Sequence, residues 1–189
     1  MVVLLLVAAC GGEAADPPAA ISTTSISTPS TSTPTSTSTV SAPETTAPAD
    51  PCAAETLRPL DGFGEVVLRV TAPDGARQEH CTLLADTGET RQQGLMAQTD
   101  LRGYAGMVFR FDEPIESRFF MRDTLLPLSI AFYDADGRFV SDADMDPCPD
   151  EVDDCPTFGA DAPYVHAIEV AQGDLGTFGL VEGSTISFP

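Results

Sequence analysis

The sequence predicts a mainly β fold, a compact sandwich or barrel with one or two short helices, preceded by a disordered stalk. Three observations carry this. From Glu65 onward apolar and polar residues alternate over short runs, the period of a half-buried strand. Those runs recur at roughly 8–12 residue spacing with turn signals between them. Ahead of them, residues 11–50 hold almost nothing but Ser, Thr, Pro, Ala and Gly.

The N-terminus reads as an address. Val2 to Ala9 (VVLLLVAA) is an uninterrupted apolar run, shorter than the about 20 residues of a membrane-spanning helix. It fits the apolar core of a secretory leader. Val7-Ala8-Ala9-Cys10 resembles a lipobox. Small residues fit the signal peptidase, and the Cys10 thiol takes the diacylglyceryl group. Met1-Val2 carries no basic residue, so the true start is expected upstream, or export is weak.

Gly11 to Asp50 lacks the apolar mass to offset its ordering entropy. The run Ser22 to Thr39 is the clearest part. As a flexible coil such a stretch spans about 35 Å, and more if glycosylated. The expected organisation is a leader at 1–9, a lipidated Cys10 and stalk at 10–51, and one domain at 52–189. The expected location is the extracytoplasmic face of the cell membrane, held by the lipid.

Of five cysteines, Cys10 goes to lipid. That leaves Cys52, Cys81, Cys148 and Cys155, and an exported chain is expected to oxidise them. Four cysteines allow three connectivities. The favoured pairs are Cys148–Cys155, closing a Pro- and Asp-rich loop, and Cys52–Cys81, clamping the start of the domain onto an early strand. No His flanks them at zinc-ligand spacing. Cys148 and Cys155 also lack the tight two-residue spacing of a redox pair.

The β elements follow in order. Val66, Leu68 and Val70 alternate with Val67, Arg69 and Thr71; Asp74-Gly75 marks a hairpin, and Cys81 to Ala85 is the return strand. Asp86 with Glu89 resembles a capping box opening a helix through about Leu95. Gly106 to Phe111 and Arg118 to Arg122 read as strands. Leu128 to Tyr133 and Arg138 to Ser141 flank the hairpin Asp134-Ala135-Asp136-Gly137. Gln172 to Phe178 is expected to form a helical turn. Tyr164 to Val170 and Thr185 to Phe188 supply late strands.

The chain carries 29 acidic against 9 basic residues, a net charge of −20. All nine basic residues are Arg. Such a charge repels nucleic acid and anionic headgroups and favours a soluble monomer.

Several motifs then run in sequence: Thr90 to Met96 (TRQQGLM), Gly106-Met107 with Phe109 and Phe111, Phe120 to Ile130 (FMRDTLLPLSI), Phe132 to Arg138 (FYDADGR), a Pro-Cys loop, and Tyr164-Val165 with Glu169-Val170. Over roughly residues 65–188 the chain resembles the family numbered 192 among domains of unknown function. The resemblance implies a compact, jelly-roll-like β domain, often exported, and implies no reaction. Phe120 stands where the family has Trp, Arg122-Asp123 where it has Lys-Asn, and Ser129 where it usually has Asp.

Candidate site residues are weighed on chemistry. Arg122, Asp123 and Thr124 are polar residues in an apolar stretch. Together with Tyr164 and Glu169 they are the candidate pocket, with a structural pairing as the alternative. Read as a strand, Arg122 and Thr124 share one face and Asp123 the other. Met96, Met107, Met121 and Met145 suit Cu(I) or a core. Asp142, Asp144, Asp146, Asp150, Asp153 and Asp154 begin like a Ca²⁺ loop, but Pro147 takes its glycine position. His80 and His166 sit in strand patterns, and His166 should face away from Glu169. No nucleophile elbow, HExxH or P-loop is present.

The expected function is a non-enzymatic binding or accessory module at the cell envelope. It would need no cofactor, with a cell-wall or envelope ligand as partner. The alternatives are an envelope-associated hydrolase and a Ca- or Cu-handling protein.

Overall fold

The structure is a computed structural model and describes residues 49–149, 151 and 154–189. The expected leader, Cys10 and most of the stalk lie outside the described residues, as do Asp150 and Asp153.

After a single 3-10 turn at Pro51–Ala53, the described elements are β1 (Gly64–Thr71), β2 (Arg77–Ala85), α1 (Gly88–Gln93), β3 (Met107–Ile115), β4 (Phe119–Phe120), β5 (Leu128–Tyr133), β6 (Phe139–Met145), β7 (Thr157–Phe158), β8 (Tyr164–Ala171) and β9 (Thr185–Ser187). Seven strands make one sheet in the order β6-β5-β8-β3-β2-β1-β9, and β4 pairs with β7 apart from it. All neighbours in the large sheet are antiparallel except β2 and β3. A parallel pair needs a crossover, and α1 with the segment after it supplies one.

The sheet's two edge strands meet. Phe139 N donates to Ser184 O at 3.2 Å, and Ile186 N donates to Gly137 O at 2.8 Å. Arg138 and Thr185 form an antiparallel bridge there. Gly137 has φ 72°, and a Cβ on it would lie 2.2 Å from the Ile186 carbonyl oxygen. Only glycine gives both that conformation and that approach. The edges are thus joined at this end, where an open edge would invite a foreign strand.

Strand alternation sorts the core into two faces. Leu68, Val70, Leu84, Val108, Ala131, Tyr133, Ile168, Val170 and Ile186 pack on one face with Leu175 and Leu180. Leu83, Ala85, Met107, Phe109, Ile130, Phe132 and Ala167 pack on the other with Leu95, Tyr104, Met121 and Tyr164. The fold is mainly β and sandwich-like, with each face of one sheet covered.

Both favoured disulfides form. Cys52 joins Cys81 and Cys148 joins Cys155, so the 3-10 turn is tied to β2 and the Pro-rich loop is closed on itself.

Several local expectations need correction. The helix cap is Thr87, not Asp86. Thr87 Oγ1 accepts from Thr90 N, and Thr90 Oγ1 accepts from Thr87 N, each at 3.1 Å. Asp86 is engaged by Arg110 at 2.9 Å. The strand expected at Arg118 to Arg122 is only Phe119–Phe120. Asp123 at φ 58° takes the chain out of extended geometry, so the strand-face argument for Arg122, Asp123 and Thr124 fails. Gln172 to Phe178 makes the expected single helical turn, Phe178 N donating to Asp174 O at 3.2 Å, while β6 runs on to Met145.

Candidate functional site

Four of the sequence motifs converge on one cavity of about 220 Å³. Its lining comes from the end of α1 and the residues after it (Arg91 to Met96), from Phe109 and Phe111 on β3, from Ser117 to Phe120, from Thr124, and from Tyr164 and Glu169 on β8. Thr124, Tyr164 and Glu169 are buried, and Arg118 and Phe120 are exposed. Buried Gly94, Leu95 and Phe109 join these three at the floor, and the exposed residues form the mouth.

Glu169 reaches the cavity because β8 pairs it with Met107 on β3 and Ile130 on β5, both on the face bearing α1. Tyr164 lies five positions away, so a straight strand would turn it to the opposite face. The β3–β8 register shifts between Arg110 and Ile115, and Tyr164 packs edge-on against Phe111 at 5.7 Å between centroids. Its hydroxyl donates to Ser117 O at 2.8 Å. Burial raises that hydroxyl's pKa to about 12.

Glu169 is the chemical centre of the cavity. It is 5 % exposed, and among the described residues nothing hydrogen-bonds its carboxyl. Burial alone pushes its pKa up to about 8, because a carboxylate deprived of water is disfavoured. At neutral pH it is a neutral acid with an O–H to donate.

Aromatic rings make the walls. Phe109 and Phe119 meet edge-on at 5.0 Å between centroids. Two guanidiniums also line the cavity. Arg91 donates to Asp86 O and Arg110 O and lies 5.0 Å from the Phe111 ring centre. Arg118 donates to Thr157 Oγ1 and O. Arg91 keeps N–H groups beyond the Nη1 used there, and Arg118 keeps its Nη1.

Two glycines make this packing possible. A Cβ on Gly94 (φ 50°) would sit 3.3 Å from the Phe109 ring, and one on Gly106 would lie 2.1 Å from the Glu169 carbonyl oxygen.

Of the five candidate pocket residues, the structure brings Thr124, Tyr164 and Glu169 together. Asp123 lines a neighbouring cleft with Met96, Leu125 and Pro147. Its left-handed backbone suits Asp or Asn, and its carbonyl accepts from Ala97 N at 2.8 Å. Arg122 lines neither space and bridges Cys148 through the backbone. Reading the residues one by one missed Arg91, Arg118 and the four phenylalanines. The convergence of the GLM, GM-aromatic and FMRDT motifs was the signal that could have found them.

The remaining candidates lie elsewhere. Ser129 donates to Asp144 and accepts from Gly173 N, a structural role. Asp142 and Asp144 lie on β6 rather than in a loop, and Asp146 accepts from Gln172 at 3.0 Å. Among the described residues no three His, Cys, Asp or Glu side chains could share a metal ion. Met107, Met121 and Met145 are buried core residues. His80 packs on Phe178 and His166 on Phe188, and neither lines the cavity.

Comparison with known proteins agrees with the motifs. A solved structure from Novosphingobium aromaticivorans, of unknown function, is 29% identical and superposes with a TM-score of 0.61 over 72% of this chain and 94% of its own. A suggested transcription regulator from Sinorhizobium meliloti is 22% identical with a TM-score of 0.60, over 67% of this chain and 95% of its own. The latter likeness shows the fold alone. No curated protein matches. The model of one protein family, described as Uncharacterized ACR, matches residues 69–188, and the chain belongs to that family, DUF192.

Proposed function

We propose that this chain is a lipid-anchored, extracytoplasmic binding module. Cys10 would carry the lipid, residues 11–51 would act as a stalk, and the β domain would present its aromatic cavity to a cell-envelope ligand. One observation carries the binding reading: Glu169 is buried at the cavity floor with no hydrogen-bond partner among the described residues. Its carboxyl oxygens are not among the fully shielded, partnerless side-chain atoms of the described residues, so a ligand in the cavity can reach and pair with them.

A raised carboxyl in a cleft also fits a catalytic acid, which favours the hydrolase reading. Glycoside hydrolysis, however, uses two carboxyl groups about 5–10 Å apart. Among the described residues Glu169 is the sole acid lining the cavity, and no His or Cys joins it. That lining suits binding better than turnover.

Thermal-shift screening of the full chain against muropeptides, envelope sugars and amino acids tests the binding role. The expected result is a stabilising ligand whose effect is lost in Glu169→Gln. Hits indifferent to substitutions in the cavity, or turnover of a hit, would overturn it. Palmitate labelling tests the anchor: labelling should vanish in Cys10→Ala, and labelling that persisted would reject it.

A further inference from the structure

The cavity is polarised from floor to mouth. Its floor holds the buried acid Glu169 and its mouth the exposed Arg118, and the half-buried Arg91 also lines it. The rings of Phe109, Phe111, Phe119, Phe120 and Tyr164 line it with these charged groups. Aromatic rings around a carboxyl are the chemistry that holds an ammonium group, through cation–π attraction and an ion pair. Phe111 already accepts a cation on its ring, the guanidinium of Arg91 at 5.0 Å. The spare N–H groups of Arg91 and Arg118 suit an anion. The space is that of roughly seven waters at ~30 Å³ each, so the ligand, or the part of it that enters, is small.

We propose that this cavity binds a small zwitterion, with its ammonium group on Glu169 between the aromatic rings and its anionic group against Arg91 and Arg118. This rests on the cavity being the binding site, as proposed above. A neutral acid cannot form the ion pair, so Glu169 gives up its proton to solvent as the ammonium binds. Tyr164 keeps its own proton, since its hydroxyl is held on Ser117 O and titrates only at about 12.

The test uses the full chain and two probes of one shape. Glycine betaine carries a quaternary ammonium and a carboxylate. 3,3-Dimethylbutanoate replaces the charged nitrogen by carbon. Titration calorimetry at pH 7, in two buffers of different ionisation enthalpy, reads both affinity and proton release. Glycine betaine should bind at least tenfold more tightly than its carbon isostere and release close to one proton. Glu169→Gln should lose this preference while remaining folded. Equal affinity for the two probes, no binding of glycine betaine, or binding without proton release would overturn the proposal. Those results leave the binding role standing if another envelope fragment still occupies the cavity, and that role fails separately if none does.

Discussion

Gly106 and Glu169 touch through the backbone: a Cβ at position 106 would stand 2.1 Å from the Glu169 carbonyl oxygen. The contact sets β3 against β8 at the residue that forms the cavity floor. Gly106→Ala should therefore cost about 3 kcal/mol, at the upper end of overpacking penalties, and should displace Glu169. Urea denaturation checks the first effect, and ligand affinity checks the second. Gly88→Ala is the contrast, since nothing lies within 4 Å of its added carbon. It opens α1, so it should stabilise by roughly 0.5 kcal/mol.

Gly137 tests the joining of the sheet edges in the same way. Gly137→Ala brings a Cβ to 2.2 Å from Ile186 O at φ 72°. The expected cost is at least about 2 kcal/mol. Hydrogen exchange should quicken at the amides of Phe139 and Ile186, which carry the closing bonds. Unchanged protection at both amides would contradict the joined-edge description.

The pH dependence of stability has opposite contributions at its two ends. Glu169 is raised from 4.5 to about 8. Its stabilising contribution is therefore complete below pH 4.5 and is lost as pH rises through 8. Glu169→Gln should match the wild type near pH 4 and exceed it at pH 9, on the order of 4 kcal/mol at ~1.4 kcal/mol per pH unit. Chemical denaturation across that range checks the sign. His80 and His166 are lowered by burial, with Arg110 adding to the effect at His166. Their contribution is present above 6.5 and fades as pH falls through their folded values. Replacing both by Gln should flatten the acid limb.

The two disulfides should differ in weight. Cys52–Cys81 spans a sequence separation of 29 and Cys148–Cys155 one of 7. In the chain-entropy model these constrain the unfolded chain by about 3.6 and about 2.5 kcal/mol. Cys52→Ala with Cys81→Ala should therefore lower the denaturation midpoint more than Cys148→Ala with Cys155→Ala.

Much of the fold was legible because strand periodicity is local. Val66, Leu68 and Val70 declared β1, and the Asp136-Gly137 turn declared the β5–β6 hairpin. The joining of β6 to β9 was not legible, since it depends on a long-range approach at Gly137 and Ile186. The helix cap was misplaced by one residue because Asp86 and Thr87 are both capping types, and Arg110 removes Asp86 from the competition. At the site, Thr124, Tyr164 and Glu169 could be named from the sequence, but Asp123 could not be separated from them. Its positive φ is a backbone demand that Asp meets without displaying it in a pattern. Tyr164 joins Glu169 only through the register shift in β3, which alternation alone argues against.

The proposed binding role and the zwitterion both rest on Glu169 being a neutral acid at the cavity floor of the free protein. Carbon-13 NMR titration of the Glu169 carboxyl, with and without saturating glycine betaine, measures this. The expected result is a midpoint near 8 in the free protein and a carboxylate already ionised at pH 6 in the complex. A free-protein midpoint at the ordinary glutamate value, or one that the ligand leaves unmoved, would contradict the account.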